Sequence, residues 1–385
     1  MTERWYETDS YTYVFDAEAV RTEPFDKGTK VVLYGTYFFP EEGGQSPDRG
    51  TIDGYPVTDV QIRDGEIVHF VSGTVSSGQK VHCEVDREFR FRNMQMHSAE
   101  HIFSGLVHRL YGFANVGFHL SENSATMDYN GVLSDADVER LETLANQVII
   151  ENHKIRAWYP SEEEIKNLAY RSKKELTGPI RLVEIEDIDL CACCVPHVRG
   201  TAEIGCMKIL SRENYKGGVR LHYIAGFRAV EHYRASLKLI AEAGQRLSVK
   251  PDGIVSAIEK LLNDNKELNY RLVEADRASA AAKIKDSCTP EAPDRLLLFL
   301  PGDGSVLRFA MDTAEQYVKG VCAIFSGDEE RGYRYLLECP GGNVTVIQKA
   351  LKEELGAKGG GPAHSVSGRA DAKEADIRKL FERFW

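Results

Sequence analysis

His97-Ser98-Ala99-Glu100-His101 places two imidazoles four residues apart. In a helix, four residues turn by about 400°, so the two rings sit about 40° apart on one face. Ala99, Ile102, Phe103, Leu106, Val107 and Leu110 form a separate apolar stripe roughly opposite them. The spacing predicts a helix from about Met94 to Tyr111 whose histidine face meets either solvent or a polar site. His108 shares that face but lies about 10 Å along the axis from His101, too far to share an ion with it. About a hundred residues on, Cys193-Cys194-Val195-Pro196-His197 offers a thiolate and a third imidazole. One Cys and three His suit tetrahedral zinc, one ion per chain. With 11 His and 8 Cys in the chain, either pair alone is weak, and spacing leaves a solvated helix face and a buried thiol as the alternatives. Spacing also leaves open whether such an ion is structural or catalytic.

Before this helix, residues 1–90 read as β-structure. Runs at 31–39, 55–62, 67–71 and 79–85 alternate with the turns Asp53-Gly54, Asp64-Gly65 and Ser77-Gly78, a pattern that predicts a small barrel. Within it lies Glu41-Glu42-Gly43-Gly44-Gln45-Ser46-Pro47-Asp48, where paired glycines permit positive φ and close approach to a ligand. After the helix, Val116, Phe118 and Leu120 alternate as a strand. Ser134 with Asp137, and Ser161 with Glu164, read as helix caps. Residues 91–228 therefore form a mixed α+β region, with strands expected at 180–185, 204–210 and 220–224.

Residues 229–289 read as a helical hairpin turning at Lys250-Pro251-Asp252-Gly253. Leu261, Asn265, Leu268, Leu272, Ala275, Ser279 and Ala282 follow a 4-3 spacing that predicts a coiled-coil seam. Pro290 and Pro293 mark a boundary, and residues 290–385 alternate strand and helix as an α/β domain. Lys358-Gly359-Gly360-Gly361-Pro362 reads as a glycine loop before a last helix ending in Phe381, Phe384 and Trp385. The whole is an α+β chain in four parts.

Composition sets the outer limits. The 385 residues are 42% hydrophobic and 28% charged, which excludes a collagen-like or wholly disordered chain. A net charge of −11 argues against a generic DNA-coating protein but leaves room for local basic contacts with phosphates. No apolar run spans a bilayer, the first residues show no signal core, and the scattered cysteines do not make a disulfide framework. A cytoplasmic protein with no membrane partner is expected.

Taken together, the motifs resemble the alanyl-tRNA editing proteins of long AlaX type, relatives of the editing and C-terminal domains of alanyl-tRNA synthetase. Five pieces carry the likeness in family order. The first is Tyr37-Phe38-Phe39-Pro40 through Gly43-Gly44-Gln45 to Asp48-Arg49-Gly50-Thr51-Ile52. The second is Arg92-Asn93-Met94-Gln95-Met96 leading into His97 and His101. The third is Val116-Gly117-Phe118-His119-Leu120. The fourth is Asp189-Leu190-Cys191-Ala192-Cys193 with His197 and Thr201-Ala202-Glu203-Ile204-Gly205. The last is Lys358 to Arg369. The resemblance implies zinc on His97, His101, Cys193 and His197, and an amino-acid pocket lined by Gly43, Gly44 and Gln45. It implies hydrolysis of the seryl ester, and second the glycyl ester, on mischarged alanine tRNA. The C-terminal domain would bind that tRNA through Lys358, Gly359, Gly360, Gly361 and Arg369. Glu100, about 60° from His97 around the helix, is placed to take a proton, with an outer supporting or exposed carboxylate as its alternative.

One departure stands out: the family usually has Gly-Gly-Thr where this chain has Cys194-Val195-Pro196. Since the barrel pattern starts within forty residues, no aminoacylation domain is expected ahead of it. Further cationic candidates for tRNA are Arg87, Arg90, Arg92, Arg171, Lys173 and Lys174. The seam and the aromatic C-terminus offer surfaces for a homodimer. Two rival readings fit the same residues. A non-catalytic tRNA or partner binder would use zinc structurally. An inverted-zincin peptidase would read His97-x-x-Glu100-His101 with a downstream ligand among Glu162, Glu163 and Glu164.

Overall fold

The computed structural model describes residues 2–121, 125–172, 178–288 and 293–385. It is a mixed α+β structure of two compact units, Met1–Leu239 and Ile240–Trp385. The two expected boundaries near residues 90 and 228 fall inside the first unit.

In the first unit, six strands pair in the cyclic order Val14–Phe25, Gly28–Leu33, Glu66–Val71, Tyr55–Arg63, Gly50–Ile52 and Lys80–Val85, and the last pairs back to the first. Their inward residues, among them Val31, Leu33, Ile52, Val60, Val71 and Val81, form a core together with Phe38 and Phe39. The run 31–39 is not one strand. The ladder stops at Leu33, Gly35–Thr36 pairs instead with Glu3–Arg4, and Phe38 and Phe39 enter the core from the irregular segment that follows. The twelve-residue strand Val14–Phe25 was not among the expected runs. It alternates through Asp16, Glu18 and Glu23 and buries only Ala17 and Ala19, so its apolar signal is faint.

The histidine helix runs Arg87–Tyr111. Asp86 caps it by accepting the Phe89 N–H, and Gly112 ends it at φ 71°. It is buried on nearly every side. Its apolar stripe joins a core with the helix Asp135–Glu151 and the four-stranded antiparallel sheet that contains Asn115–Leu120, Ala125–Tyr129, Met207–Tyr215 and Gly218–Ala225. Ser134 and Ser161 make the expected capping boxes. A three-stranded sheet of Ile155–Trp158, Leu182–Ile185 and Asp189–Ala192 carries the second ligand pair at its end. Arg90 is not a tRNA contact. It is fully buried and bonds both Asp48 carboxylate oxygens and the Tyr37 and Ser10 carbonyls, tying the barrel to the helix start.

In the second unit, five strands take the order Arg295–Leu300, Val321–Asp328, Gly332–Glu338, Ser365–Ala370 and Lys358–Gly360. Alternate residues feed two cores. Leu296, Leu298, Ile324 and Leu336 pack with Ala280 and Ile284 of the long helix Ile254–Ser287 and with the helix Leu307–Ala314. Ala323, Phe325, Tyr335, Leu337 and Val366 pack with the helices Thr345–Leu355 and Glu374–Phe381. Phe381 is therefore core, and Phe384 packs against it, so the aromatic C-terminus serves this unit's own interior. The seam residues Leu261, Leu268 and Leu272 are about 60% exposed, so the chain does not bury them itself. Lys358–Gly360, expected as loop, is an edge strand. Its glycines let it approach closely: a Cβ on Gly359 would stand 2.3 Å from the Ser367 carbonyl and 2.8 Å from the Tyr335 hydroxyl. Lys173, Lys174 and Pro290 lie outside the described residues.

Candidate metal centre

Two elements bring the four candidate ligands together. The helix supplies His97 and His101 from adjacent turns. The loop after strand Asp189–Ala192 supplies Cys193 and His197. The three histidines are buried, 2–5% exposed, Cys193 is half-buried, and one donor atom from each residue lies within 4.8 Å of the others. Cys193 Sγ stands 3.6 Å from His97 Nε2 and 3.5 Å from His197 Nε2. Tetrahedral zinc with ordinary Zn–N and Zn–S bonds sets its N and S ligands about 3.5 Å apart, so these separations fit.

The other ring nitrogens are all engaged. His101 Nδ1 donates to Asp189 Oδ2 at 3.1 Å, His97 Nδ1 to Gln45 Oε1 at 3.2 Å, and His197 Nδ1 bonds Ser98 Oγ at 2.9 Å. A proton held at Nδ1 leaves the Nε2 lone pair aimed inward, the form that binds a metal. Asp189 is itself clamped by Arg171 through two bonds of 2.7 and 2.8 Å. Arg171, half-buried and engaged with Asp189, is therefore a support of this cluster rather than a free surface cation for tRNA.

The electrostatics pair one thiolate with one imidazolium, His101, whose Nε2 proton a metal would displace. Burial would raise the Cys193 thiol, but the charge of His97 and hydrogen bonds from the three imidazoles outweigh it and hold it well below its ordinary 9.0. Burial raises Cys191 and Cys194, which leaves Cys193 as the thiolate of the cluster. Burial pushes His197 down to about 3 and also lowers His97. In His101 burial is overridden by the bonds to Asp189 and Cys193, which hold it at about 9.

Glu100 is 1% exposed, which removes the reading of it as a surface carboxylate. Its Oε1 accepts from Ser104 Oγ and Asn115 Nδ2, both at 2.6 Å, and its Oε2 lies 3.9 Å from His101 Nε2. The glycine turn arrives from the barrel side. Gly43 and Gly44 have φ of 63° and 81°, and a Cβ on Gly44 would stand 2.3 Å from the Phe118 carbonyl oxygen. Two backbone bonds, Leu120 N–H to Gly44 and Ser46 N–H to Leu120, clip the turn to the strand Asn115–Leu120. Val195 is fully buried against this turn.

Several expectations separate here. Gln45 bonds His97, while Gly43 lies against Val195 in the loop between Cys193 and His197. Glu162 to Glu164 sit on a short exposed helix, with Glu164 spent on capping Ser161, so the peptidase reading loses its carboxylate. Arg92 is bound by Glu88 and Glu231. Lys358 and Arg369 face each other across an exposed edge of the second unit's sheet, Arg369 bonded to Asp371 and to the Arg331 carbonyl. Ser98, Asp189 and Arg171 were missed as supports. Their partners are 18 to 99 residues away, and no local spacing writes that down.

Residues 180–222 match the family described as the threonyl and alanyl tRNA synthetase second additional domain. Over nearly its full length the chain is a homologue of alanyl-tRNA editing proteins. It is 29% identical to alanyl-tRNA editing protein AlaX-L of Pyrococcus horikoshii over 98% of this chain and 96% of that one. It is also 29% identical to alanyl-tRNA editing protein Aarsd1 of Danio rerio, over 92% of this chain and 88% of that one. The alanine–tRNA ligase of Ignicoccus hospitalis is 28% identical over 98% of this chain, which spans 42% of that enzyme. Among the described residues no helix is long and apolar enough to cross a membrane.

Proposed function

We propose that this chain is a trans-editing hydrolase that deacylates mischarged alanine tRNA, taking the seryl ester first and the glycyl ester second. The observation that carries the reading is the convergence of His97, His101, Cys193 and His197 beside the glycine turn, in a chain homologous to alanyl-tRNA editing proteins. Zinc on the four side chains would supply Lewis acidity toward an ester carbonyl. The chain's own residues do the rest. Asp189, Gln45 and Ser98 hold the three imidazoles in the binding tautomer. Glu100, fixed by Ser104 and Asn115 at the edge of the cluster, accepts a proton from the attacking water. Gly43, Gly44 and Gln45 wall the aminoacyl pocket. A site that hydrogen-bonds the seryl hydroxyl rejects alanine more strongly than shape alone does.

The four-part division of the chain is kept within this reading. The C-terminal α/β part, with Lys358, Gly359, Gly360, Gly361 and Arg369 on one sheet edge, grips the tRNA body in the cytoplasm. The exposed Leu261, Leu268 and Leu272 support a homodimer through the long helix. The deciding experiment measures deacylation of seryl-, glycyl- and alanyl-tRNA with and without a chelator. Chelator-sensitive loss of serine with alanine retained is expected. Intact seryl ester at high enzyme concentration selects the non-catalytic binder with a structural zinc instead.

A further inference from the structure

A closed circuit of contacts runs around the histidine face of the helix. His97 bonds Gln45, and the next residue, Ser46, bonds the Leu120 carbonyl through both its N–H and its hydroxyl. Ser121 follows Leu120, and its carbonyl accepts from Arg228 Nη1 at 2.8 Å. Arg228 Nη2 donates to Asn93 Oδ1 at 2.9 Å. Asn93 lies four residues before His97, hence one turn and about 6 Å along the same face, which closes the circuit.

Two side-chain amides on this circuit share one peculiarity. Each has its oxygen committed, Gln45 to His97 and Asn93 to Arg228. The donors on these oxygens fix which way each amide points. Each then leaves its NH2 group buried with no hydrogen-bond partner among the described residues, although both side chains are about 1% exposed. Buried donors are nearly always satisfied, so an unpaired one marks a place for a partner the protein alone does not provide. The Gln45 amide stands at the ligand set. The Asn93 amide stands one turn away, beside the Arg228 guanidinium, and an anionic oxygen placed there could accept from both side chains.

We propose that Asn93 and Arg228 form the subsite for the phosphate of the terminal nucleotide of the substrate. The inference rests on the editing reading and deepens it. In an aminoacylated terminal adenosine, the ribose separates the ester from the 5′-phosphate. The ester and that phosphate stand one ribose apart, comparable to the helix turn of about 6 Å between His97 and Asn93, so an ester held at the ligand set can present its phosphate to Asn93. Asn93 and Arg228 are thus binding residues for the end of the RNA, distinct from the aminoacyl pocket at Gly43 to Gln45.

The test uses the full chain with adenosine 5′-monophosphate and adenosine as calorimetric probes, alongside seryl-tRNA deacylation and metal content. Asn93→Asp keeps the oxygen that Arg228 bonds but replaces the donor with an acceptor. The wild type is expected to bind the monophosphate at least tenfold more tightly than the nucleoside. Asn93→Asp should bring that ratio near one and raise KM for seryl-tRNA about tenfold, with kcat and metal content held. Arg228→Lys, the second variant, keeps the charge but releases the Asn93 amide and should cut the preference at least fivefold. A wild type that deacylates seryl-tRNA but shows no phosphate preference overturns the inference and leaves the editing reading standing. So does a preference unchanged in both variants. A wild type that leaves seryl-tRNA intact overturns the editing reading, and the binding ratio then judges the phosphate site by itself.

Discussion

Val195 and Gly43 meet at the edge of the ligand set: Val195 Cγ2 lies 3.0 Å from where a β-carbon on Gly43 would stand. Val195 occupies the segment where the resembled family has Gly-Gly-Thr, and its side chain fills space that a glycine would leave open. It also donates its N–H toward Cys193 Sγ at 3.5 Å. Val195→Gly keeps that N–H and opens the volume. Its expected effect is a loss of about 2 kcal/mol of stability from the buried side chain. Discrimination against alanyl-tRNA should also weaken, read as the ratio of kcat/KM values for seryl- and alanyl-tRNA. A ratio unchanged by the substitution would show that Val195 does not shape the aminoacyl pocket.

Metal retention separates direct ligands from their supports. Cys193→Ala removes the thiolate and is expected to lower bound metal to a small fraction of one equivalent after dialysis. Ser98→Ala leaves all four ligands but frees the His197 ring, which Ser98 holds through Nδ1. Metal affinity should fall about 10–100-fold, as for other groups that orient a ligating imidazole. Competition with a chromogenic chelator reads both. Unchanged affinity in Ser98→Ala would mean the loop alone fixes His197.

His69 gives the fold an acid limit unrelated to the metal. It is fully buried in the barrel, bonded to Thr36 and to the Val31 carbonyl, and burial pushes it down to about 4 from an ordinary 6.5. Between those values the unfolded chain binds a proton that the folded chain does not, so stability rises with pH. A shift of this size corresponds to about 3 kcal/mol lost between pH 6.5 and 4, with no further loss from this group below 4. Melting temperatures from pH 7.5 to 4.5 should fall in the wild type and fall less steeply in His69→Gln.

How much of this was readable from the chain depends on the range of the interaction. The 97/101 and 193/197 pairs are local spacings, and the sequence shows them directly. So are the boxes at Ser134 and Ser161. The polar face of the histidine helix was ambiguous because periodicity cannot say what covers it; the strand Asp189–Ala192 and the glycine turn do. Arg90 looked like a surface cation because its partner Asp48 is 42 residues away in a turn. The strand Val14–Phe25 stayed hidden because its inward residues are mostly alanine and its outward ones charged. Non-local polar pairing and small inward side chains leave no periodic trace.

The Arg90–Asp48 pair makes that point measurable. Both side chains are fully buried, and Asp48 also accepts the Phe39 N–H at 2.6 Å. Removing one partner strands the other's charge away from water. Asp48→Ala is expected to destabilise the chain by about 3–5 kcal/mol, read by denaturant unfolding. Arg90→Met with Asp48→Leu removes both charges and should recover part of the loss. A loss below about 1 kcal/mol for Asp48→Ala would mean that water reaches the guanidinium.

The compact units allow chemistry and tRNA grip to be tested apart. Ala280 and Ile284 of the long helix belong to the second unit's core, so a cut near residue 290 would expose them. A cut between Leu239 and Ile240 follows the boundary of the units. A chain of residues 1–239 retains all four ligands, Glu100 and the glycine turn, and its melting transition reports whether it remains folded. It is expected to hydrolyse a minimal seryl-adenosine ester within about threefold of the full chain, since no residue assigned to the chemistry is lost. Its affinity for alanine tRNA should fall at least tenfold if, as proposed, phosphate contacts by Lys358, Arg369 and their neighbours carry binding energy far from the ester. On that proposal the full chain's affinity should fall steeply with salt, and the truncated chain's slope should be shallower. Equal affinity and equal salt slope in both forms would remove the second unit from tRNA recognition and put the whole of it on the catalytic unit.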